Sequence, residues 1–485
     1  MTVHGQPSWE ATPSDGCGFM AELIETGTVV DAPATQVWSG GVLSRAKRSI
    51  TNSLRGDSIK SRLAKGVLWS VLGAGVSQAL AFAASIVAAR ILGRTGFGEL
   101  GMIQSTVGMF GVFAGAGLGM TATKHVAEFR GKDPLKAGRL IGMLSAAAFV
   151  SAGFIALLAF IVAPCLAGRV MQAPQLASAM RIGCVLLFLN ALNGAQLGAL
   201  GGLEAFRTMA VTSLYKGLLN FPCVVCGVVL WGLSGALWGS VVAAFLGWLI
   251  NHRALATETR LALVPVSYRA HAEEIPVLWR FSLPAVVTSA MFSPVDWVLN
   301  TLLVQQPNGY AELGLFNAAR QWQAIILYLP GMLSQASLPL LANLWGEGKS
   351  RQYRRLLVAN SALLTAVAAG VALPVAILSS HVMKAYGSGF AEGRLALVLT
   401  CATSVLMASN VVVGQALWAC GATRTAILMA ALRAALLVVA FVLLRSQGAS
   451  GLACAYLLTY VVQTAYLIPY SRWQYKHRFG TSGRP

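Results

Sequence analysis

Charge is scarce in this sequence: only 11% of its 485 residues are Asp, Glu, Lys or Arg, and just 17 are acidic. So thin a polar complement cannot cover the surface of a water-soluble chain of this length, which excludes an ordinary soluble enzyme. Cysteine is equally thin. The eight cysteines stand mostly alone inside apolar stretches, as at Cys184, Cys401 and Cys454, which excludes a disulfide framework. The closest pair, Cys223 and Cys226, has no further Cys or His ligands nearby and reads as small apolar packing. The six histidines show no H-E-x-x-H spacing, and neither a Walker A loop nor a G-x-S-x-G elbow occurs. Nothing here points to a metal site, to a catalytic residue or to ATP hydrolysis by this chain, so work would draw on an ion gradient, on substrate concentration or on a partner.

What is present is apolar. The chain is 56% hydrophobic with a positive mean hydropathy, and runs of about 20 apolar residues, each able to cross a hydrocarbon core of ~30 Å as a helix, recur from about Val67 to Ile468. Gly, Pro and charge punctuation divides them into about twelve spans. They fall near 66–89, 96–119, 140–163, 180–202, 209–230, 233–251, 282–304, 310–342, 357–378, 396–416, 422–443 and 450–470. The fold class this predicts is all-α and polytopic. Residues 1–62 carry no sustained apolar run and end in a basic stretch, Ser44-Arg45-Ala46-Lys47-Arg48, expected to lie as a disordered cytoplasmic tail against anionic lipid. The net charge of +19 would suggest nucleic acid in a soluble protein. Here most Lys and Arg collect on alternate connections, the positive-inside pattern of an even number of spans with both termini cytoplasmic, and no nucleic-acid partner is expected.

A repeat turns this list of helices into an architecture. Gly96-Phe97-Gly98-Glu99-Leu100-Gly101-Met102 recurs as Gly309-Tyr310-Ala311-Glu312-Leu313-Gly314-Leu315, a shift of 213. Asn193, Arg207, Thr208 and Lys216 recur as Asn410, Arg424, Thr425 and Arg433 at a constant shift of 217. Copies six spans apart enter the membrane in the same direction, so they predict two pseudo-symmetric six-helix lobes around a central cavity. The expected divisions are a lobe at 63–253, a cytoplasmic linker at 254–280, a second lobe at 281–471 and a cytoplasmic tail at 472–485.

Ionisable groups inside spans are costly, at least ~2.5–3.5 kcal/mol each, so they normally face protein or a water-filled cavity. Lys216 and Arg433 sit about eight residues into equivalent helices, roughly 12 Å deep, and together would attract an anionic substrate. Snorkelling to the inner interface is the competing reading. Arg320, in Phe316-Asn317-Ala318-Ala319-Arg320-Gln321-Trp322, is either a third cavity cation or an interfacial Arg beside Trp322. Asp296, in Ser293-Pro294-Val295-Asp296-Trp297, is the candidate for a coupling H⁺ or Na⁺. A static ion pair with one of the arginines competes with that role. Glu99 and Glu312 are repeat mates near span ends, where a rim or loop role is expected. Pro284, Pro294, Pro330-Gly331 and Pro374 are expected to interrupt helices seven to nine, either as hinges or as static bends.

The segment Ala89-Arg90-Ile91-Leu92-Gly93-Arg94-Thr95-Gly96-Phe97-Gly98, followed by a Gly-rich helix, resembles the first two helices of the polysaccharide-unit (Wzx-type) flippases. These belong to the multidrug/oligosaccharidyl-lipid/polysaccharide (MOP) exporter superfamily. Leu313-Gly314-Leu315-Phe316-Asn317-Ala318-Ala319-Arg320, leading to Leu338-Pro339-Leu340, resembles their eighth helix, and the likeness covers about residues 64–472. The long polar amino-terminal stretch departs from the family's usual short start.

The resemblance implies alternating access between two six-helix bundles in a bacterial inner membrane. Its substrate would be an undecaprenyl-pyrophosphate-linked oligosaccharide, moved from the inner to the outer leaflet for surface or exopolysaccharide assembly. Lys216, Arg320 and Arg433 would line a cationic lumen, no cofactor beyond a coupling H⁺ or Na⁺ is implied, and partners would include membrane lipids, a polysaccharide polymerase and chain-length or export machinery. Three rivals stand beside it. A drug exporter of the same superfamily would want acidic cavity residues, a membrane glycosyltransferase or polymerase would want a large outer loop, and a scaffold would have no use for buried symmetric cations.

Overall fold

The computed structural model describes residues 59–268, 292–335, 337–420 and 423–479, and these are helical with turns and no strand. The expected tail up to residue 58, the linker beyond Tyr268, the first part of the expected seventh span and Pro284 lie outside the described residues. Two units are distinguished, Met1–Leu72 and Gly73–Pro485; in the first, residues 59–72 are helical.

In order the helices are α1 (Ile59–Gly111), α2 (Gly117–Phe129), α3 (Pro134–Cys165), α4 (Ala177–Gly202) and α5 (Phe206–Leu261), then α6 (Ser293–Val304), α7 (Gly309–Ser334) and α8 (Ser337–Gly346). They continue as α9 (Ser350–Ile377), α10 (Ser379–Lys384), α11 (Arg394–Ala419), α12 (Thr423–Leu444) and α13 (Gly448–Phe479). Among the described residues eight stretches are long and apolar enough to cross a membrane. The longest, Phe206–Leu261, has 56 residues, roughly 84 Å of helix against a hydrocarbon core of ~30 Å, and it is broken at Trp231 and Gly232. Gly93 likewise breaks Gly73–Gly115, and Gly448 breaks Ile427–Tyr475. These breaks fall in the gaps expected between spans one and two, five and six, and eleven and twelve. Large apolar side chains such as Phe154, Ile161, Ile377 and Leu443 point outward, as a lipid solvent allows.

The repeat is visible in the geometry. Gly232 (φ 58°, ψ −131°) and Gly448 (φ 57°, ψ −131°) take the same left-handed conformation at the turn before the last span of each half. Asn193 donates through Nδ2 to the Ala244 carbonyl at 3.0 Å, while Asn410 donates to Thr464 Oγ1 at 3.0 Å, so each ties α4 or α11 to the final span of its own half. The two copies of the glycine motif also pack on each other. A Cβ on Gly98 would lie 1.8 Å from the Tyr310 carbonyl oxygen, and one on Gly314 would lie 2.0 Å from that of Arg94, so α1 and α7 touch backbone to backbone. Glu312 accepts a hydrogen bond from the Ala449 N–H at 2.7 Å, placing its carboxylate on the first turn of α13.

The prolines behave differently from expectation. α7 runs through Pro330 to Ser334 and α9 through Pro374 to Ile377, so neither residue ends its helix. Both lie in the last turns, where the one backbone bond that proline removes leaves most of the ladder intact. The eighth span is instead divided after Ser334, where α8 takes over at Ser337. Pro294 stands in the first turn of α6, a position that needs no N–H donor.

Candidate substrate cavity between the halves

Three helices converge on a cavity of about 410 Å³ with polar and apolar groups in its lining. From α1 come Phe97, Leu100, Gly101, Gln104, Ser105 and Gly108, spaced at three and four residues so that one helical face lines it. From α7 come Asn317, Arg320, Gln321 and Ala324 with the same spacing, and the start of α6 adds Ser293, Asp296 and Asn300. One wall therefore belongs to the first half of the chain and the other to the second.

Asp296 and Arg320 form an ion pair on this wall, with side chains 27% and 36% exposed, so both remain reachable from the cavity. Tyr456 on α13 donates its phenolic O–H to Asp296 Oδ1 at 2.5 Å, and its ring stacks on Phe316 with centroids 5.8 Å apart. The Arg320 guanidinium lies 5.9 Å from the centre of the same ring. The carboxylate is thus held from α7 and α13, and its charge is matched. Hydrogen bonds between the halves frame the cavity. Trp297 Nε1 donates to Thr106 Oγ1 at 3.0 Å, Asn300 Nδ2 to Ser105 Oγ at 2.9 Å, and Ser85 Oγ to Gln321 Oε1 at 2.5 Å.

One end of the bundle is sealed. Arg94 forms an ion pair with Glu392 at 2.6 Å and Arg90 Nε donates to the Ala385 carbonyl at 2.6 Å. Phe97 packs against Tyr386 and Phe390 with ring centroids 6.5 and 6.1 Å away, beside the Gly98 to Gly314 contact.

Of the expected cations Arg320 lines this cavity, and Lys216 and Arg433 do not. Arg433 is 9% exposed within the second half, where its Nη1 donates to the Tyr460 hydroxyl at 3.0 Å and its guanidinium sits 4.6 Å from the Phe292 ring centre. It lines a separate cavity of about 210 Å³ with Asn410, Tyr460 and Gln463. Lys216 lies half-buried on α5, its aliphatic stem passing Gly247 closely enough that a Cβ there would meet it at 3.3 Å. The repeat fixed their matching positions along the helices, not the direction in which each side chain points.

Sequence reasoning missed Tyr456 and the amide side chains Gln104, Asn300, Asn317 and Gln321. The Asn317, Arg320, Gln321 spacing on one apolar helix was the available signal. No local pattern marks Tyr456, 160 residues from the carboxylate it holds.

A multi-pass helical bundle with a cavity between two repeat-related halves, sealed at one end, is built as a membrane transporter. The family model described as polysaccharide biosynthesis protein matches residues 63–345, a range that contains both segments on which the resemblance rested. The EPS I polysaccharide export inner membrane protein EpsE of Ralstonia nicotianae is 28% identical over 379 residues, covering 72% of this chain and 81% of that protein. The lipid III flippase of Escherichia coli (strain K12) is 23% identical over 409 residues, covering 82% and 96%. A multidrug resistance MATE family transporter of the MOP superfamily, solved in an inward-facing conformation, shares the fold with a TM-score of 0.72 at 15% identity, covering 84% of this chain and 96% of that one. The chain belongs to the polysaccharide biosynthesis protein family and has the MOP-superfamily fold.

Proposed function

We propose that this chain is a flippase that carries an anionic polyprenyl-pyrophosphate-linked oligosaccharide from the inner to the outer leaflet of a bacterial inner membrane, with both termini cytoplasmic. The observation that carries this reading is the lining of the cavity between the halves. Four amides and two hydroxyls line it, and its one carboxylate among the described residues is already matched by Arg320, a surface able to bind saccharide hydroxyls and poorly suited to an organic cation. The family and the names of the relatives point the same way, toward a transporter rather than an enzyme.

In this reading the sealed end faces outward and substrate enters from the cytoplasm. Arg320 exchanges partners: the substrate pyrophosphate, a bidentate acceptor of greater charge, draws the guanidinium from Asp296. The freed carboxylate then takes up H⁺ or Na⁺, while Tyr456 keeps it oriented. Substrate and coupling ion are linked because each uses one member of the pair. Lys216 and Arg433, in separate surroundings, guide the anion electrostatically rather than grasp it. The product is handed to polymerase and export machinery.

The reading is tested in cells lacking the gene by following the lipid-linked precursor on each leaflet. Inner-leaflet accumulation, relieved by the wild-type gene, is expected. A normal precursor distribution with altered sensitivity to cationic drugs would replace this reading with the exporter one.

A further inference from the structure

A cavity of about 640 Å³ lies away from the central site, between α3, α4 and the end of α5. On α5 it runs from Trp248 to Arg260, twelve residues or about 18 Å along the axis, a little more than half of a ~30 Å hydrocarbon core. The groove is graded. Phe149, Val150 and Trp248 form its deep end, His252 stacks on Trp248 part-way along, and Arg260 stands at the shallow end, with no acidic residue in the lining among the described residues. Its shallow wall is the extended segment Val264 to Tyr268, the start of the connection between the halves. That segment is fixed to α3: Ser267 N–H donates to the Gly138 carbonyl at 3.3 Å, and a Cβ on Gly142 would fall 2.0 Å from the Ser267 carbonyl oxygen.

Given the flippase reading, on which this rests, we propose that the groove holds the phosphate-proximal isoprene units of the polyprenyl carrier, with the phosphate end at Arg260. One channel of single-leaflet length with a cation at one end fits a single-chain anionic lipid, whereas a boundary phospholipid brings two chains. Because the occupant lies against the connecting segment, it touches the part of the chain through which the two halves are joined.

The test uses the full chain in nanodiscs of phosphatidylethanolamine and phosphatidylglycerol, with undecaprenyl phosphate carrying a diazirine on a phosphate-proximal isoprene unit as the probe. Photolabel is expected on residues 141–150 and 248–260. It should be displaced by unlabelled undecaprenyl phosphate and not by the same mole fraction of added phosphatidylglycerol. Ala146→Trp, which fills the mouth of the groove from an exposed position, should abolish that label. Arg260→Gln, at an exposed site that leaves the packing alone, should remove the advantage of undecaprenyl phosphate over undecaprenol as competitor. Label spread over outward-facing residues such as Ile377 and Leu443, or displaced equally by phosphatidylglycerol, overturns the proposal. Wild-type protein that flips lipid-linked saccharide without labelling the groove also refutes the site alone. Specific labelling without any such flipping refutes the flippase reading and leaves the lipid site standing.

Discussion

Arg320 and Asp296, 24 residues apart in sequence, form an ion pair on α7 and α6 at the wall of a cavity whose opposite wall is α1. Both charges are partly exposed to that cavity, so the pair is neither a buried structural bridge nor a surface one. It joins the two roles that the sequence suggests separately, a cation for the substrate and an acid for a coupling ion.

Asp296→Asn is therefore expected to uncouple the two. Its side chain keeps the shape and still accepts from Tyr456, but it no longer competes for the guanidinium. Binding of undecaprenyl pyrophosphate, measured by native mass spectrometry or thermal shift, should tighten, while the dependence of transport on pH or Na⁺ flattens. Unchanged ion dependence with unchanged binding would remove Asp296 from the mechanism.

Tyr456→Phe deletes one hydrogen bond to the same carboxylate, typically worth ~1.5–3 kcal/mol when the partner is charged, and leaves the stacking on Phe316 in place. The pH or Na⁺ dependence should shift rather than vanish. An effect on folded yield alone, with the transport profile untouched, would make Tyr456 a packing residue.

The seal is built on the glycine motif, and Gly98→Ala and Gly314→Ala should each destabilise the sealed state by about 1–3 kcal/mol. Gln104→Cys, in the cavity behind the seal and in a background without the native cysteines, supplies the reporter: its reaction with a membrane-impermeant thiol reagent added from outside should quicken, about tenfold for each 1.4 kcal/mol. Because both glycines separate the same two helices, the double variant should cost less than the sum of the singles. Strict additivity, or no change in accessibility, would show that this contact does not gate the cavity.

Gly232→Ala and Gly448→Ala place a Cβ on a left-handed backbone, a cost of roughly 1–2 kcal/mol. Gly448→Ala should lower the thermal midpoint in detergent further than Gly232→Ala, because its Cβ would fall 2.3 Å from the Glu312 carboxylate whereas nothing lies within 4 Å of one on Gly232. Equal losses would mean that Glu312 moves aside and does not hold the start of α13.

Much of the fold was legible because membrane spans announce themselves by length, and because the repeat carried its own check. The breaks at Gly93, Gly232 and Gly448 fall where punctuation placed them, and Asn193 and Asn410 make corresponding ties in the two halves. The site was legible only in part. A lone charge on a helix that is apolar all round, such as Arg433 on α12, reveals its depth and not its direction. Arg433 turns to Phe292 and Tyr460, while Arg320 turns to Asp296. The pairing of Asp296 with Tyr456 and the seating of residues 264–268 on α3 are tertiary events with no periodic signature.

The most direct test of the account is flipping by purified protein in liposomes, read as the fraction of a fluorescent undecaprenyl-pyrophosphate-linked saccharide that an added impermeant enzyme can reach. The wild type should expose the inner pool with time and Arg320→Gln should not, although it remains folded and inserted. Flipping by Arg320→Gln at the wild-type rate, or by neither protein above the protein-free rate, would contradict it.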